Sequence, residues 1–387
     1  MNRAVFAVIF LSTLVSAFIF NIPKACAATT PFEISGWIPY WREATGTIDV
    51  LPHMKSMTSV MPFGYIVQND GALYDAFGFS ATSSATSSVS ILSSVAKIQK
   101  VKIIPTVMWS NSEAMDRILK NATTRQKLED DIANLVKQNN FAGIDIDFEN
   151  KLAETKSYFS LFLKGLYMRM GQKLVYCAIE PRTPPSSAFA VIPNPLQYAN
   201  DYSAINKYCD RVEIMAYDQG RVDIKLNANA SPTPYIPISD TAWVKKVVEL
   251  TAQSISKKKI IIGIATYGYE YDLVKLTQGY RYDLAWTFNQ GYATALASDL
   301  GLIPTRNSAG ELNFIYTPTT TPMTNIVAAS ASAGPIPATT TPQRIVWWSD
   351  ASSVNDKIQL AKQLGVRGVA FFKFDGGEDQ NIWNILP

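Results

Sequence analysis

Two hydrophobic periods alternate along the chain. Short runs rich in β-branched and aromatic residues fall at Glu33–Ile38, Ser59–Val67, Val101–Met108, Phe141–Glu149, Lys173–Ile179, Arg211–Tyr217, Lys258–Thr266 and Gly368–Phe374, and they read as strands. Between them lie stretches with helical spacing: a short one near Ile48–Lys55, then Ile91–Gln99, Thr123–Gln138, Glu154–Met170, Asp201–Tyr208, Trp243–Ser254 and Ser353–Leu364. Thr123 with Gln126 makes a capping-box pattern, and Gly171 and Gly365 stand where helices stop. Strand and helix alternating through eight strands predict parallel βαβ units closed into an α/β fold, the (β/α)8 TIM barrel.

One connection breaks the rhythm. About 80 residues separate Thr266 from Val346, far more than a βα loop needs. They hold an apparent helix at Gln290–Leu300, a hairpin signal around Gly310 and a Thr/Pro/Ala-rich loop from Thr317 to Pro342. The expectation is a small α+β insertion, residues 268–345, on the upper rim of one catalytic domain spanning 28–387 and forming a wall of its cleft. The Ser/Thr-rich stretch Ser80–Ser90 reads as a solvated loop.

The fourth strand carries an unusual pattern. Asp145, Asp147 and Glu149 alternate with Ile144, Ile146 and Phe148, so the acids share one face and the apolar residues take the other. Same-face neighbours lie roughly 7 Å apart, close enough for each charge to perturb the next. An edge strand with a solvated acidic face is the plain alternative, but both flanks read as buried strand. In a barrel the C-terminal strand ends form the active face. Glu149 therefore belongs at the mouth, Asp147 one layer down and Asp145 below that. Two such acids cannot both ionise freely, and a carboxyl held protonated near neutral pH is what a general acid needs.

Composition narrows the chemistry. An apolar fraction of 47% and a charged fraction of 17% describe a globular chain with a sizeable core. Met1-Asn2-Arg3, the apolar run Ala4–Phe20 and Ala25-Cys26-Ala27 form an export leader with cleavage expected after Ala27, so residues 1–27 read as a signal peptide. An uncleaved anchor is the alternative. Cleavage predicts a secreted or cell-envelope protein with no stable membrane insertion. It removes Arg3 and Lys24, taking the formal charge from +3 to about +1, which gives no electrostatic case for nucleic acid. Cys177 and Cys209 then remain. They could pair in an exported protein, although Cys177 lies in an apolar strand, where a buried free cysteine is common. The single histidine, His53, argues against Ser-His-Asp catalysis and multi-histidine metal sites, and it reads as a surface or cap residue. Carboxylates must carry the chemistry, with no metal or cofactor expected.

At these acids the sequence resembles the family 18 glycoside hydrolases, the chitinase-like barrels, whose signature is D-G-x-D-x-D-x-E at the end of strand four. Here Ala142-Gly143-Ile144-Asp145-Ile146-Asp147-Phe148-Glu149 keeps the last three acids and replaces the first Asp by Ala142. Met215-Ala216-Tyr217-Asp218 matches the family's M-x-Y-D. Gly36-Trp37-Ile38-Pro39-Tyr40-Trp41, Trp347, Asp350 and Gly365–Val369 are similar to a bacterial subgroup acting on spore peptidoglycan, the cortex N-acetylglucosaminidases. Phe372 stands where the family commonly has a Trp as the floor of the sugar site.

The resemblance implies a retaining hydrolase of β-1,4-linked N-acetylglucosamine polymers, peptidoglycan or chitin. Glu149 is then the general acid, Asp147 orients the substrate acetamido group, Asp145 tunes Asp147, and Tyr217 bonds the acetamido oxygen. Asp218, Tyr40, Trp109, Phe372 and Glu180 are candidate substrate contacts, with Trp41 beside Tyr40. Glu180 either binds a sugar hydroxyl or pairs with Arg182. Phe63 and Tyr65 read as barrel filling. A monomer acting on N-acetylglucosamine-containing polysaccharide is expected. The alternative is a non-hydrolytic, chitinase-like lectin on the same scaffold.

Overall fold

The computed structural model describes residues 31–80, 87–318 and 342–386. The proposed leader lies outside them, as does most of the Thr/Pro/Ala-rich loop and the centre of the Ser/Thr-rich stretch. Eight parallel strands close on themselves. They are β1 (Glu33–Ile38), β2 (Ser59–Val67), β3 (Thr106–Trp109), β4 (Gly143–Phe148), β5 (Leu174–Ile179), β6 (Arg211–Ile214), β7 (Ile260–Ala265) and β8 (Gly368–Phe372). Each pairs with the next, and β8 returns to β1 through Glu33↔Gly368 and Gly36↔Phe371. The expected third strand is split: Lys102–Ile103 pairs with β2, and β3 begins only after Pro105, whose nitrogen has no hydrogen to give a ladder.

Alternation along each strand sorts side chains between two cores. Ile144, Ile146 and Phe148 of β4 face outward, and Phe148 meets Phe159 and Phe162 of helix Lys156–Met170 at 5.9 and 5.2 Å between ring centroids. The barrel interior is filled by Trp37, Met61, Phe63, Ile104, Tyr176, Ala178, Ile261 and Ala370. The polar side chains of Ser35, Ser59, Thr106, Asp145, Asp147 and Glu213 are also buried. At the N-terminal end Glu33 accepts from Arg211 Nε at 2.5 Å and from Arg367 Nη2 at 2.5 Å, tying β1, β6 and the entry to β8. Tyr65 does not fill the barrel. A register irregularity between Phe63 and Tyr65 turns it outward, where it stacks on Phe79 at 5.9 Å.

The helices follow the expected pattern with local corrections. Asn121, not Thr123, caps Ala122–Gln138, its Oδ1 accepting from the Thr123 and Thr124 amides at 2.9 and 3.2 Å. Helix Ser112–Lys120, capped by Asn111, precedes it and has no counterpart in the hydrophobic pattern read above. Cys177 and Cys209 are disulfide-bonded, so the free-thiol alternative fails: helix Tyr202–Tyr208 returns the chain to the outer face of β5. His53 lies flat on Trp383, the rings 4.3 Å apart. No described helix is long and apolar enough to cross a membrane.

Between β7 and β8 the chain builds a five-stranded antiparallel sheet, in the order Tyr280–Asn289, Tyr267–Lys275, Gln343–Trp348, Leu312–Tyr316 and Thr305–Arg306. Helix Gln290–Asp299 covers part of it, and Gly310, at φ +79°, turns between its two shortest strands. The hairpin joining Tyr267–Lys275 to Tyr280–Asn289 is its longest feature and was not legible beforehand. Buried Glu311 fixes the sheet to the barrel: its carboxylate accepts from Trp347 Nε1 at 2.7 Å and from the Ile238 and Ser239 amides at 2.9 Å each.

Candidate active site

β4 aims its acids along the barrel axis. Asp145 is wholly buried, and its Oδ2 accepts from Trp37 Nε1 at 3.0 Å and Thr106 Oγ1 at 2.8 Å. Asp147 is also buried, one step nearer the mouth. Glu149 follows the strand and is half-buried, its amide bonded to Trp109 O at 2.8 Å.

Burial first, then the charges of Glu149 and Asp145, push the Asp147 carboxyl well above the ordinary range. Glu149 is also raised, by burial and then by the Glu180 charge, while the hydrogen bond from Asp147 works the other way. Asp147 and Glu149 therefore hold one proton between them beyond the pH at which free carboxylic acids lose theirs.

Tyr217 comes from the far side of the barrel, just beyond β6, and is 7% exposed. Its ring lies nearly parallel to Phe372 at 5.5 Å, and Gly263 of β7 leaves the room it needs: a Cβ there would sit 2.9 Å from the Tyr217 ring. Asp218 adopts φ +56° and accepts from the Tyr267 and Tyr269 hydroxyls at 2.6 Å each. Burial raises its pKa against those two bonds.

Asp147, Glu149, Tyr217, Asp218, Trp109 and Phe372 line one cavity of about 430 Å³, together with Trp37, Trp41 and Phe63. A second cavity of about 600 Å³ shares Trp41, Asp218 and Phe372 with it and continues along the insertion past Tyr269 and Trp286. The cleft thus has two compartments, each within the range of small-molecule sites.

Tyr40 and Glu180 lie outside the cavity that holds the acids, and Trp109 meets it only with an edge. Trp41, half-exposed, lines both compartments, whereas Tyr40 lines neither and meets Trp41 edge-on at 4.9 Å. Trp109 is only 2% exposed and packs edge-on against Phe148, so it offers the cavity an edge of the core. Glu180 does not pair with Arg182, which stacks over Tyr198 and Tyr202. Its partners are Lys151 Nζ at 3.4 Å and Asn200 Nδ2 at 2.8 Å, and it lines a neighbouring cavity. Phe63, expected as filling, serves both the barrel interior and the cavity wall.

Several participants escaped the sequence reading. Lys151 is buried and donates to the Phe148 carbonyl and to Glu180, and nothing local marks a lysine after a strand as buried. Glu213 could have been found: it precedes Met215 and Tyr217 at two-residue spacing, which in the expected strand Arg211–Tyr217 puts the three on one face. Tyr267 and Tyr269 also alternate, but their strand belongs to the insertion.

A closed barrel with paired acids at its mouth and an aromatic-lined cleft defines a glycoside-hydrolase class of site. The sequence profile described as "Glycosyl hydrolases family 18" matches residues 40–377, and the chain belongs to that family of glycoside hydrolases. It is 23% identical over 299 residues to the uncharacterized glycosylase YvbX of Bacillus subtilis, covering 75% of this chain and 76% of that one. It is 24% identical over 279 residues to the cortical fragment-lytic enzyme of Bacillus subtilis, covering 71% of this chain and 56% of that one. The spore cortex-lytic enzyme SleL of Bacillus megaterium superimposes with TM-score 0.68 at 23% identity, over 92% of this chain and 73% of that one. A class V chitinase from Pseudomonas fluorescens superimposes with TM-score 0.71 at 19% identity, over 92% of this chain and 98% of that one.

Proposed function

We propose that the chain is an exported, retaining hydrolase of β-1,4-linked N-acetylglucosamine polymers, acting on peptidoglycan glycan strands in preference to chitin. The observation that carries this reading is the meeting of Glu149, Asp147 and Tyr217 in one cavity floored by Phe372. The cortical fragment-lytic and spore cortex-lytic relatives support the choice of cell-wall glycan, and the leader-like residues 1–27 support export.

Glu149, carrying the proton it shares with Asp147, protonates the glycosidic oxygen. The substrate's 2-acetamido oxygen attacks the anomeric carbon from the opposite face. The C–O bond to the leaving sugar breaks and a cyclic oxazolinium ion forms. Asp147, now ionised, accepts a hydrogen bond from the acetamido N–H and offsets the positive charge. The Tyr217 hydroxyl donates to the acetamido oxygen and aligns it. Glu149, left as a carboxylate, then takes a proton from the incoming water, whose oxygen bonds to the anomeric carbon as the bond from that carbon to the acetamido oxygen breaks, which restores the amide and gives net retention. Double displacement through the substrate's own amide needs no enzymic nucleophile, an exception to the two-carboxylate scheme.

The test offers the purified protein chitooligosaccharides and peptidoglycan glycan strands separately and identifies the products by mass spectrometry. Reducing-end fragments from the glycan strands, lost by a factor of about 10³ in Glu149→Gln, support the reading. Binding of either polymer without cleavage by the wild type would overturn it in favour of a lectin.

A further inference from the structure

Glu213 is wholly buried in the barrel interior, and neither of its carboxyl oxygens meets a donor among the described residues. An ionised carboxylate left there without a donor would be strongly destabilising, whereas an apolar residue would fill the same slot at no such cost. Asp145 is, after burial, the group that acts most strongly on it, and Asp145 Oδ1 is buried and unpartnered like the two Glu213 oxygens among the described residues. Ala178, the inward residue of the intervening β5 and the direct neighbour of Glu213 in the ladder, is small and leaves room on the Asp145 side of Glu213. Asp145 has two neutral donors on Oδ2 from Trp37 and Thr106, whereas its Oδ1 has none among the described residues. The charge therefore belongs on Asp145, and the proton between the two acids belongs on Glu213.

We propose that Glu213 is a positioning residue whose carboxyl O–H donates to Asp145 Oδ1 and holds Asp145 as a fixed anion facing Asp147. The four acids then form a column in which Glu213 carries one proton and the Asp147–Glu149 pair the other. A fixed charge on Asp145 raises the affinity of that pair for its proton, which is the proton the proposed reaction consumes. This rests on the acid role given to Glu149 above.

The surroundings of Glu213 support the arrangement. From β4 it faces Asp145 and Asp147, from β5 Tyr176, from β1 Glu33, and beyond its own strand Tyr217. Glu33 is already neutralised by Arg211 and Arg367. Ile261 of β7, its neighbour in the ladder, is apolar. Burial, then the charge of Asp145, lifts the Glu213 carboxyl well above its ordinary range, consistent with a resident proton.

The pH profile of kcat/KM on glycan strands tests this in the wild type, Glu213→Gln and Glu213→Val. The glutamine amide still donates to Asp145, so its profile should match the wild type with activity within about threefold. In Glu213→Val the Asp145 anion loses a donor and takes up a proton, so the basic limb should move about one unit to lower pH. An unmoved limb in a folded Glu213→Val would overturn the proposal.

Because that variant can fail to fold, infrared difference spectra give a second readout at neutral pH. One carbonyl band of a buried protonated carboxyl present in the wild type should be missing in Glu213→Gln and retained in Asp145→Asn, while the bands of the Asp147–Glu149 pair and of Glu378 persist in Glu213→Gln. A wild-type spectrum that loses no such band on Glu213→Gln would also overturn the proposal. Failure of the wild type to hydrolyse any glycan would sink the catalytic reading alone, because the infrared result does not depend on turnover.

Discussion

The Lys151 ammonium lies 3.4 Å from the Glu180 carboxylate, and both charges act on the Glu149 carboxyl from outside its own cavity. Glu180 raises the pKa of Glu149 and Lys151 lowers it, so the pair sets the proton affinity of the proposed acid from opposite directions.

Neutralising Glu180 as Glu180→Gln removes the charge that raises Glu149 while leaving an acceptor for Lys151 and Asn200. The basic limb of the kcat/KM profile should move to lower pH by about one unit, with little change in kcat at acidic pH. A limb that moves upward would contradict the electrostatics described here.

Gly263 makes a sharper test of Tyr217 than substitution of the tyrosine alone. A methyl group at 263 would meet the Ile214 carbonyl at 2.6 Å and the Tyr217 ring at 2.9 Å. Gly263→Ala should lower kcat by about 10²-fold, comparable to Tyr217→Phe, by displacing the hydroxyl from the acetamido oxygen it is proposed to bond. Kinetics on the two single variants and their double settle the matter: non-additive losses are expected, since both act through one group.

The disulfide should matter for endurance more than for chemistry. Cys177 and Cys209 close a loop across a sequence separation of 32, a constraint worth roughly 3–4 kcal/mol through the unfolded chain. Cys177→Ala with Cys209→Ala should lower the midpoint of urea unfolding while leaving kcat near the wild-type value. Equal midpoints with and without reductant would contradict this.

Glu378 offers a stability switch remote from the acids of β4. Burial, then its hydrogen bond and repulsion with Asp49, lift this carboxyl to about 9. Its proton stays on in the folded state while the unfolded chain loses it near 4.5, so stability falls as pH rises between those values. Glu378→Gln should flatten that decline, raising Tm at pH 8 and changing it little at pH 4. Thermal scans across the range provide the check.

Much of this molecule was legible in one dimension. Short β-rich apolar runs alternating with helical stretches point to a parallel α/β barrel, because every strand must bury both faces and every helix one. Alternate acids ending β4 likewise fix one inward-facing column, since strand geometry allows no other disposition. What the linear order could not supply was adjacency across the barrel. Glu213 meets Asp145, Gly263 seats Tyr217, Trp37 bonds Asp145, and Cys209 reaches Cys177 only because the sheet closes. Partners for buried charges were equally hidden: Lys151 and Glu180, or Glu378 and Asp49, are chosen by where packed elements leave a charge without water. Local pattern determines which way a side chain faces; only the closed fold determines what it faces.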